Sequence, residues 1–320
     1  MKVSVIVPVY ECAAYLADAL DSVFAQTYPD LEVIVVDHSP KAHGAVLQPY
    51  TPRIRYVVQE SAGVSAARNL GIEQAQGDLI AFLDGDDLWV PDKLAVQMEI
   101  LLQRPDVGLV FSRIEEINEA GHLKPPPAPI TEPSPFGDWL GRSATHDPQV
   151  FIGAMLETLL HNNYIPTSSV IVRRACLLRA GLFDERYRIC EDYDLWLRMA
   201  REYPMAFVNR VTAQYRVRAD GLSGSEQARI YRWKEWNSLV LEAHLPTVPR
   251  DLRPRVREKI ARRFREAGWY YLRQGRIRQA QELFTKSLRH RWYQPTALAY
   301  LVATAVAPKV FRRCATGEPA

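Results

Sequence analysis

The chain has 320 residues, of which 48% are hydrophobic and 24% charged, and its formal net charge is +3. That balance is ordinary for a globular protein of one large domain or two smaller ones, with a core that needs no staples. The four cysteines, Cys12, Cys176, Cys190 and Cys314, contain no CxxC pair, so neither a zinc site nor a disulfide framework is expected, and a reducing compartment fits.

The run 3–9 is β-branched, broken at Pro8 and followed by Glu11, which predicts a buried strand rather than an export signal. No stretch reaches the ~18 apolar residues of a membrane span. The longest, 296–307, stops at Pro308. Strands are expected at 3–7, 33–36, 54–58, 79–83 and 107–111. Between the first two, Leu16, Leu20, Val23 and Phe24 recur at helical spacing, and Tyr28-Pro29-Asp30 ends that helix. Further helices are expected at 65–76, closed by Gly77, and at 93–102 behind Pro91. This alternation predicts an α/β fold with a doubly wound sheet.

The proline-rich stretch 124–135 predicts a loop. Beyond it come a helix around 151–160, a strand at 168–172, a helix at 192–201, and strand-like runs at 207–211 and 213–217. From Glu226 the pattern is helical and rich in arginine, with a helix pair over 267–288 turning at Gly275. One such pair cannot bury its own face, so a helical appendage packed on a core is expected. After residue 225 stand 20 of the 40 Lys and Arg but only 8 of the 37 Asp and Glu. Such a basic tail can meet phosphates or an anionic membrane, or be a solvated helical surface. The segment 300–313 suits either a membrane interface or a docked terminal helix.

Three motifs carry candidate chemistry. In Phe82-Leu83-Asp84-Gly85-Asp86-Asp87, three carboxylates directly follow an apolar strand, where open α/β sheets bind ligands. Clustered carboxylates repel unless a cation joins them, and Mg²⁺ or Mn²⁺ suits such oxygens together with substrate phosphates. An acidic turn ahead of the next helix would look the same. Gly63-Val64-Ser65-Ala66-Ala67-Arg68-Asn69 opens a helix with small residues. They allow a ligand close to the backbone at an anion-favouring terminus, or equally close packing on the sheet. Arg68 can hydrogen-bond a phosphate or a base. Glu191-Asp192-Tyr193-Asp194-Leu195-Trp196 puts acids at a helix start, either as caps or as a general base for an attacking hydroxyl.

In order, Val3–Val9 with Tyr10, then Val35-Val36-Asp37, Gly63 to Asn69, Asp84 to Asp87, Gly181-Leu182-Phe183-Asp184-Glu185 and Glu191 to Trp196 closely resemble the family-2 glycosyltransferases of GT-A fold. The resemblance covers roughly residues 1–225, with a nucleotide-binding half at about 1–112 and an acceptor half at about 150–225. The basic helical extension, 226–320, is not covered in the same way. The resemblance implies that Pro8, Tyr10, Asp37 and His38 line the nucleotide pocket, with Arg68 near the base and diphosphate. It implies Asp84 at the ribose or metal, Asp86 at a Mn²⁺ or Mg²⁺ ion, Asp192 as catalytic base and Glu191 beside it. Trp196 is expected to pack behind the site.

Two departures stand out. Asp37-His38-Ser39-Pro40 stands where the family usually has Asp-Asp-Gly-Ser, which opens the base preference. Arg218 stands where the family often has His; it cannot ligate metal but can hold a diphosphate. The segment 218–227, with Gly221 and Gly224, suggests a lid over the donor.

The implied activity is inverting, metal-dependent transfer of a sugar from a nucleotide-diphosphate sugar, UDP-sugar favoured, to a hydroxyl of a glycan or lipid-linked acceptor in cell-envelope or polysaccharide synthesis. The expected setting is cytoplasmic, with a possible peripheral contact of the basic helices at the inner face of the membrane. Competing expectations are a nucleotidyltransferase, which would also use carboxylate-bound Mg²⁺, and a non-catalytic sugar-nucleotide-binding protein. No nucleic-acid partner is expected, because no zinc, RRM or helix-turn-helix signature is present.

Overall fold

The first β-branched run forms strand β1 (Val3–Val9), buried throughout. It lies between β2 (Leu31–Asp37) and β4 (Leu79–Phe82), with β3 (Ile54–Val58) beyond β2, all paired in parallel. Helices cover both faces of such a sheet, which is why its central strands are continuous apolar runs. The connecting helices are α1 (Ala13–Phe24), α2 (Pro40–Leu47) and α3 (Val64–Gln74). α1 turns Leu16, Ala19, Leu20 and Val23 inward, the spacing of one helical face. The structure, a computed structural model, describes residues 1–60, 63–125, 134–218 and 226–306.

The chain continues through β5 (Leu88–Trp89), α4 (Lys93–Gln103), β6 (Leu109–Ile117), α5 (Pro135–Arg142), β7 (Val150–Gly153) and α6 (Leu156–His161). It ends this unit with β8 (Ile171–Arg173), α7 (Arg174–Ala180), α8 (Glu191–Met199) and β9 (Met205–Arg216). Among the described residues the nine-stranded sheet runs β3-β2-β1-β4-β8-β6-β9-β5, with β7 also on β9. β8 is antiparallel to both its neighbours, while β6 and β9 are parallel. β1 to β4, β6 and β9 therefore share one direction, and the mostly parallel sheet flanked by helices matches the expected fold class.

Four sequence expectations change. The expected strand 168–172 opens instead as a 3-10 turn, Thr167–Ser169, ahead of β8. The helix around 151–160 is instead a strand followed by a short helix. Phe151 and Ile152 pair with Phe207 and Ala206 of β9, because an aromatic and a β-branched residue suit an available sheet edge better than a helix start. The strand-like runs 207–211 and 213–217 are one strand, β9, whose pairing with β6 shifts register around Arg113. In the proline-rich stretch, 126–133 lies outside the described residues, and Pro135 opens α5 behind Ser134, whose Oγ accepts from the Gly137 N–H at 3.0 Å.

The chain divides into two compact units, Met1–Arg218 and Ala219–Ala320. The second consists, among the described residues, of α9 (Glu226–His244), α10 (Arg253–Arg273), α11 (Ile277–His290) and α12 (Pro295–Val306). α10 and α11 are the expected helix pair, and Gly275 between them has φ +71°. Phe264, Ala267, Ala280 and Phe284 are fully buried along their contact. No helix among the described residues is long and apolar enough to cross a membrane. Residues 219–225 of the suggested lid and 307–313 of the terminal segment lie outside the described residues.

α3 packs very close to β1. A Cβ on Gly71 would overlap Ile6 Cγ2, and Ile6 is fully buried. Gly71→Ala should lower stability by about 1–2 kcal/mol in urea unfolding, because overpacking of about 1–3 kcal/mol outweighs the helix propensity gained. A neutral or stabilising effect would mean that the helix and strand are further apart.

Candidate active site

The acidic turn leaves β4 directly and rests on the end of β1. A Cβ on Gly85 would lie 2.7 Å from Cys12 Sγ and 3.3 Å from the Pro8 carbonyl, so only glycine lets the turn lie this close. Burial pushes the Cys12 thiol up to about 12, so it packs rather than reacts. The three carboxylates then part in role. Asp87 points inward and is buried. It accepts from Ser168 Oγ at 2.5 Å and from the Arg216 N–H at 3.0 Å. Burial, then the charges of Asp84 and Asp86, hold its carboxyl well above the usual range.

Asp84 and Asp86 stay partly exposed, with side chains at 32% and 26%. Asp84 Oδ1 is 2.7 Å from Arg68 Nη2, and Asp86 Oδ2 is 3.0 Å from Arg218 Nη1. Arg218 also donates to the Glu11 carbonyl at 3.0 Å, and its guanidinium lies 5.2 Å from the Tyr15 ring centroid. Burial and then Asp84 raise the Asp86 carboxyl, against the pull of Arg218.

Arg68 joins two motifs far apart in sequence. Its guanidinium is almost fully buried, with Nη2 on Asp84 and Nη1 2.7 Å from Glu191 Oε1. The Asp84 and Glu191 charges hold its proton still more firmly against the cost of burial. The sequence puts Arg68 near a base or diphosphate; in the structure two carboxylates already flank it. Asn69 fixes the same region. Its side chain donates to the Phe183 carbonyl and accepts from the Phe183 N–H, both at 2.9 Å, tying α3 to the Gly181–Glu185 segment.

Glu191 and Asp192 open α8 immediately after Cys190, whose φ is +66°. Among the described residues the other non-glycine with positive φ is Glu11, beside Tyr10, so both strained positions flank this site. Asp192 is half-buried. Its Oδ1 accepts from the Tyr193 N–H at 2.7 Å, and its Oδ2 from Asn163 Nδ2 and Thr167 Oγ1, both at 3.2 Å. Burial raises its carboxyl above the ordinary value while Arg68 and these donors restrain the rise. Burial pushes Glu191 up to about 7 even with Arg68 beside it, and the Asp192 charge adds to the rise. Asp194 is instead paired with Arg198 at 2.8 Å, and Trp196 packs behind the helix, donating to the Ile165 carbonyl at 3.2 Å.

A buried polar network stands beneath. Lys93 is fully buried and donates to Gln97 Oε1 at 2.7 Å and to the Val170 carbonyl at 3.2 Å, and burial holds its pKa well below the usual lysine value. Gln97 donates to the Ser169 carbonyl at 2.7 Å and to Ser112 Oγ at 3.2 Å. The network fixes the 3-10 turn Thr167–Ser169, and with it both Ser168 on Asp87 and Thr167 on Asp192.

At the ends of β1 and β2, Tyr10 is 52% exposed and its ring lies 5.7 Å from that of His38. Pro8 is buried in β1 opposite Val36. Asp37 is fully buried: Oδ1 accepts from the Ser39 N–H at 2.7 Å and from His43 Nδ1 at 2.9 Å, and Oδ2 from Tyr56 at 2.9 Å. His43 Nε2 in turn faces the Cys12 N–H at 3.4 Å, so the imidazole donates through Nδ1 and accepts through Nε2. Asp37 thus holds the loop behind Tyr10 and His38. His43, Tyr56, Asn69, Asn163, Thr167, Ser168 and Arg216 carry no signal in the sequence that separates them from ordinary polar residues; only Asn69 sits inside a recognisable motif.

No group of three or more His, Cys, Asp or Glu among the described residues is arranged as a metal cage. The chemistry of Asp84 and Asp86 nonetheless fits a hard divalent cation. Burial and the Asp84 charge raise the proton affinity of Asp86, and Mg²⁺-type ions take one or two protein carboxylates and complete their shell with phosphates and water.

The family described as glycosyl transferase family 2 matches residues 4–175 of the chain. A protein of Rickettsia typhi named an uncharacterized glycosyltransferase is 31% identical over 222 residues, which cover 67% of this chain and 64% of that relative; the match thus spans less than two thirds of the relative's length. The putative teichuronic acid biosynthesis glycosyltransferase TuaG of Bacillus subtilis is 42% identical over 107 residues, 32% of this chain and 42% of TuaG. Among solved structures, S. aureus TarS 1–349 superposes with a TM-score of 0.62 at 16% identity, covering 99% of this chain and 91% of that one. The mannosyltransferase PcManGT of Pyrobaculum calidifontis, in complex with GDP-Man and Mn²⁺, does so with a TM-score of 0.55 at 19% identity, covering 98% and 83%. At those identities the likeness concerns the fold. The match over more than half of its length, on the strand order and motif order described above, makes this chain a member of glycosyl transferase family 2 with the GT-A fold.

Proposed function

We propose that the protein is an inverting glycosyltransferase that moves a sugar from a nucleotide-diphosphate sugar, UDP-sugar favoured, onto a hydroxyl of a glycan or lipid-linked acceptor in cell-envelope or polysaccharide synthesis. The observation that carries this is the pairing of Asp192, aligned by three hydrogen bonds, with Glu191, which Arg68 ties to Asp84. Acid–base and charge-binding groups are thereby held in one rigid arrangement. A TarS complex with UDP-GlcNAc and the PcManGT complex with GDP-Man support a nucleotide-diphosphate donor, and the name of TuaG supports an envelope glycan.

The residues divide the work as follows. Tyr10 and His38 receive the base, backed by Pro8 and the Asp37–His43 pair. Asp84, Asp86 and Arg218 receive the ribose and diphosphate, and Asp86 with Asp84 would hold the divalent ion. Bound there, Mn²⁺ or Mg²⁺ supplies Lewis-acid charge against the leaving diphosphate. Asp192 accepts the acceptor proton as its oxygen attacks the anomeric carbon and the C–O bond to the diphosphate breaks. Glu191 and Asp194 are both committed to ion pairs, with Arg68 and Arg198. A nucleophilic carboxylate for double displacement therefore has no candidate in this segment, which supports inversion. Residues of about 1–112 form the donor half, about 150–225 the acceptor half, and 226–320 the basic extension.

Asp192→Asn should lower turnover by about 10²–10⁴-fold in a sugar-transfer assay while leaving donor affinity nearly unchanged. Turnover like that of the parent would remove Asp192 from the base role.

Glu191 also predicts a pH dependence of stability. Its carboxyl is raised to about 7, against about 4.3 in an unfolded chain, so the native state binds the extra proton between those values. This component of stability is complete below about pH 4 and is lost as pH rises through about 7. Melting temperatures from pH 5 to 8 should fall less in Glu191→Gln than in the parent, and parallel curves would contradict the raised carboxyl.

A further inference from the structure

The last described helix has an outer face that its own unit leaves bare. α12 (PTALAYLVATAV) carries no charged residue. One face docks on α11: Ala297 and Thr304 are buried, Gln281 donates to Thr304 Oγ1 at 3.3 Å, and the Tyr300 ring stacks on Phe284 with centroids 5.5 Å apart. On the other face, Leu298 and Val302, one helical turn apart, are 52% and 54% exposed. The connection from α11 adds Trp292 at 83% and Tyr293 at 68% exposure, with ring centroids 5.6 Å apart. A helix that is uncharged all round is ordinarily buried, and a large apolar patch on a soluble surface marks an interaction site.

The neighbouring charge selects the partner. Exposed Arg289, in the last turn of α11, and Arg291 stand directly before the two aromatics, and Arg291 is paired with Glu258. Residues 226–306 hold 17 Lys and Arg against 7 Asp and Glu. Aromatics with one apolar and one polar end, aliphatic side chains and excess arginine together match the boundary of an anionic bilayer: rings at headgroup depth, Leu298 and Val302 below, cations on lipid phosphates.

We propose that the Trp292–Tyr293 corner and the outer face of α12 dock the protein on an anionic lipid surface. The inference deepens the proposed lipid-linked or envelope acceptor, because docking would confine the enzyme to the layer that holds it. It also stands on observations in the second unit alone, so it can fail without the transfer activity failing.

The test is flotation of the full chain with vesicles of phosphatidylcholine alone or with phosphatidylglycerol added. Melting shifts with nucleoside diphosphates serve as an independent check that the catalytic unit is intact. The parent should float with the anionic vesicles, and less so at high salt. Trp292→Ala with Tyr293→Ala should lose that binding with the nucleotide shift unchanged. Arg289→Gln with Arg291→Gln should weaken it about tenfold or more. Equal recovery with and without anionic lipid would overturn the proposal, as would flotation of the aromatic variant at the parent's level. Concentration-dependent self-association that the aromatic variant abolishes, without flotation of the parent, would also overturn it and assign the face to a second copy.

Discussion

The Arg68 guanidinium holds the motifs of the first unit together. It sits almost fully buried between Asp84, just beyond β4, and Glu191, at the start of α8. These carboxylates are more than 100 positions apart in sequence, and each is anchored by different packing: the Asp84 turn by Gly85 against β1, the Glu191 helix by Trp196 and Tyr193. A buried guanidinium with one partner removed is costly, on the order of 3–5 kcal/mol for a buried ion pair that loses a member. The two motifs are therefore fixed relative to each other, and a third, opened by Gly63 and closed by Asn69, supplies the connection.

The same constraint governs the electrostatics. Asp84, Asp86, Asp87, Glu191 and Asp192 gather where the first strands end, and burial raises Asp86, Asp87, Glu191 and Asp192. Arg68, Arg216 and Arg218 offset that charge from behind, through three ion pairs and a backbone donor to Asp87. Arg218 is notable because it contacts Asp86 itself. In the proposed function a diphosphate arriving with a divalent ion would share Arg218 with that carboxylate, which would link donor binding to the Asp86–Arg218 pair.

Much of this was legible in the sequence, because it rests on local pattern. Strand runs at 3–7, 33–36, 54–58 and 79–83 coincide with β1 to β4, and the acidic turn follows β4 as its sequence suggests. The helix pair turning at Gly275 was equally visible. Partner choice was not. Arg68 reads as a phosphate ligand beside small residues, yet its neighbours are two carboxylates brought in by α8 and the β4 turn. Asp37 reads as lining a nucleotide pocket, and nothing local in the sequence shows that His43 and Tyr56, from α2 and β3, donate to its oxygens. The 151–160 segment failed for a related reason: an edge of β9 was available to Phe151 and Ile152, and no local propensity records that. Long-range pairing is absent from a one-dimensional pattern, and the polar network from Lys93 to Ser169 is a further instance.

Asp84 and Asp86, with the arginines behind them, are proposed as the seat of a nucleoside diphosphate and a divalent ion. That seat is tested most directly by thermal shifts of the parent and Asp86→Asn with UDP, GDP, dTDP, CDP and CMP, each in Mn²⁺, Mg²⁺ or EDTA. A ligand at about 100 times its dissociation constant adds about 2.7 kcal/mol to stability, a readily measured shift. The expected result is stabilisation of the parent by one diphosphate, lost in EDTA and in Asp86→Asn. No shift with any nucleotide, or one that survives both EDTA and the substitution, would contradict it.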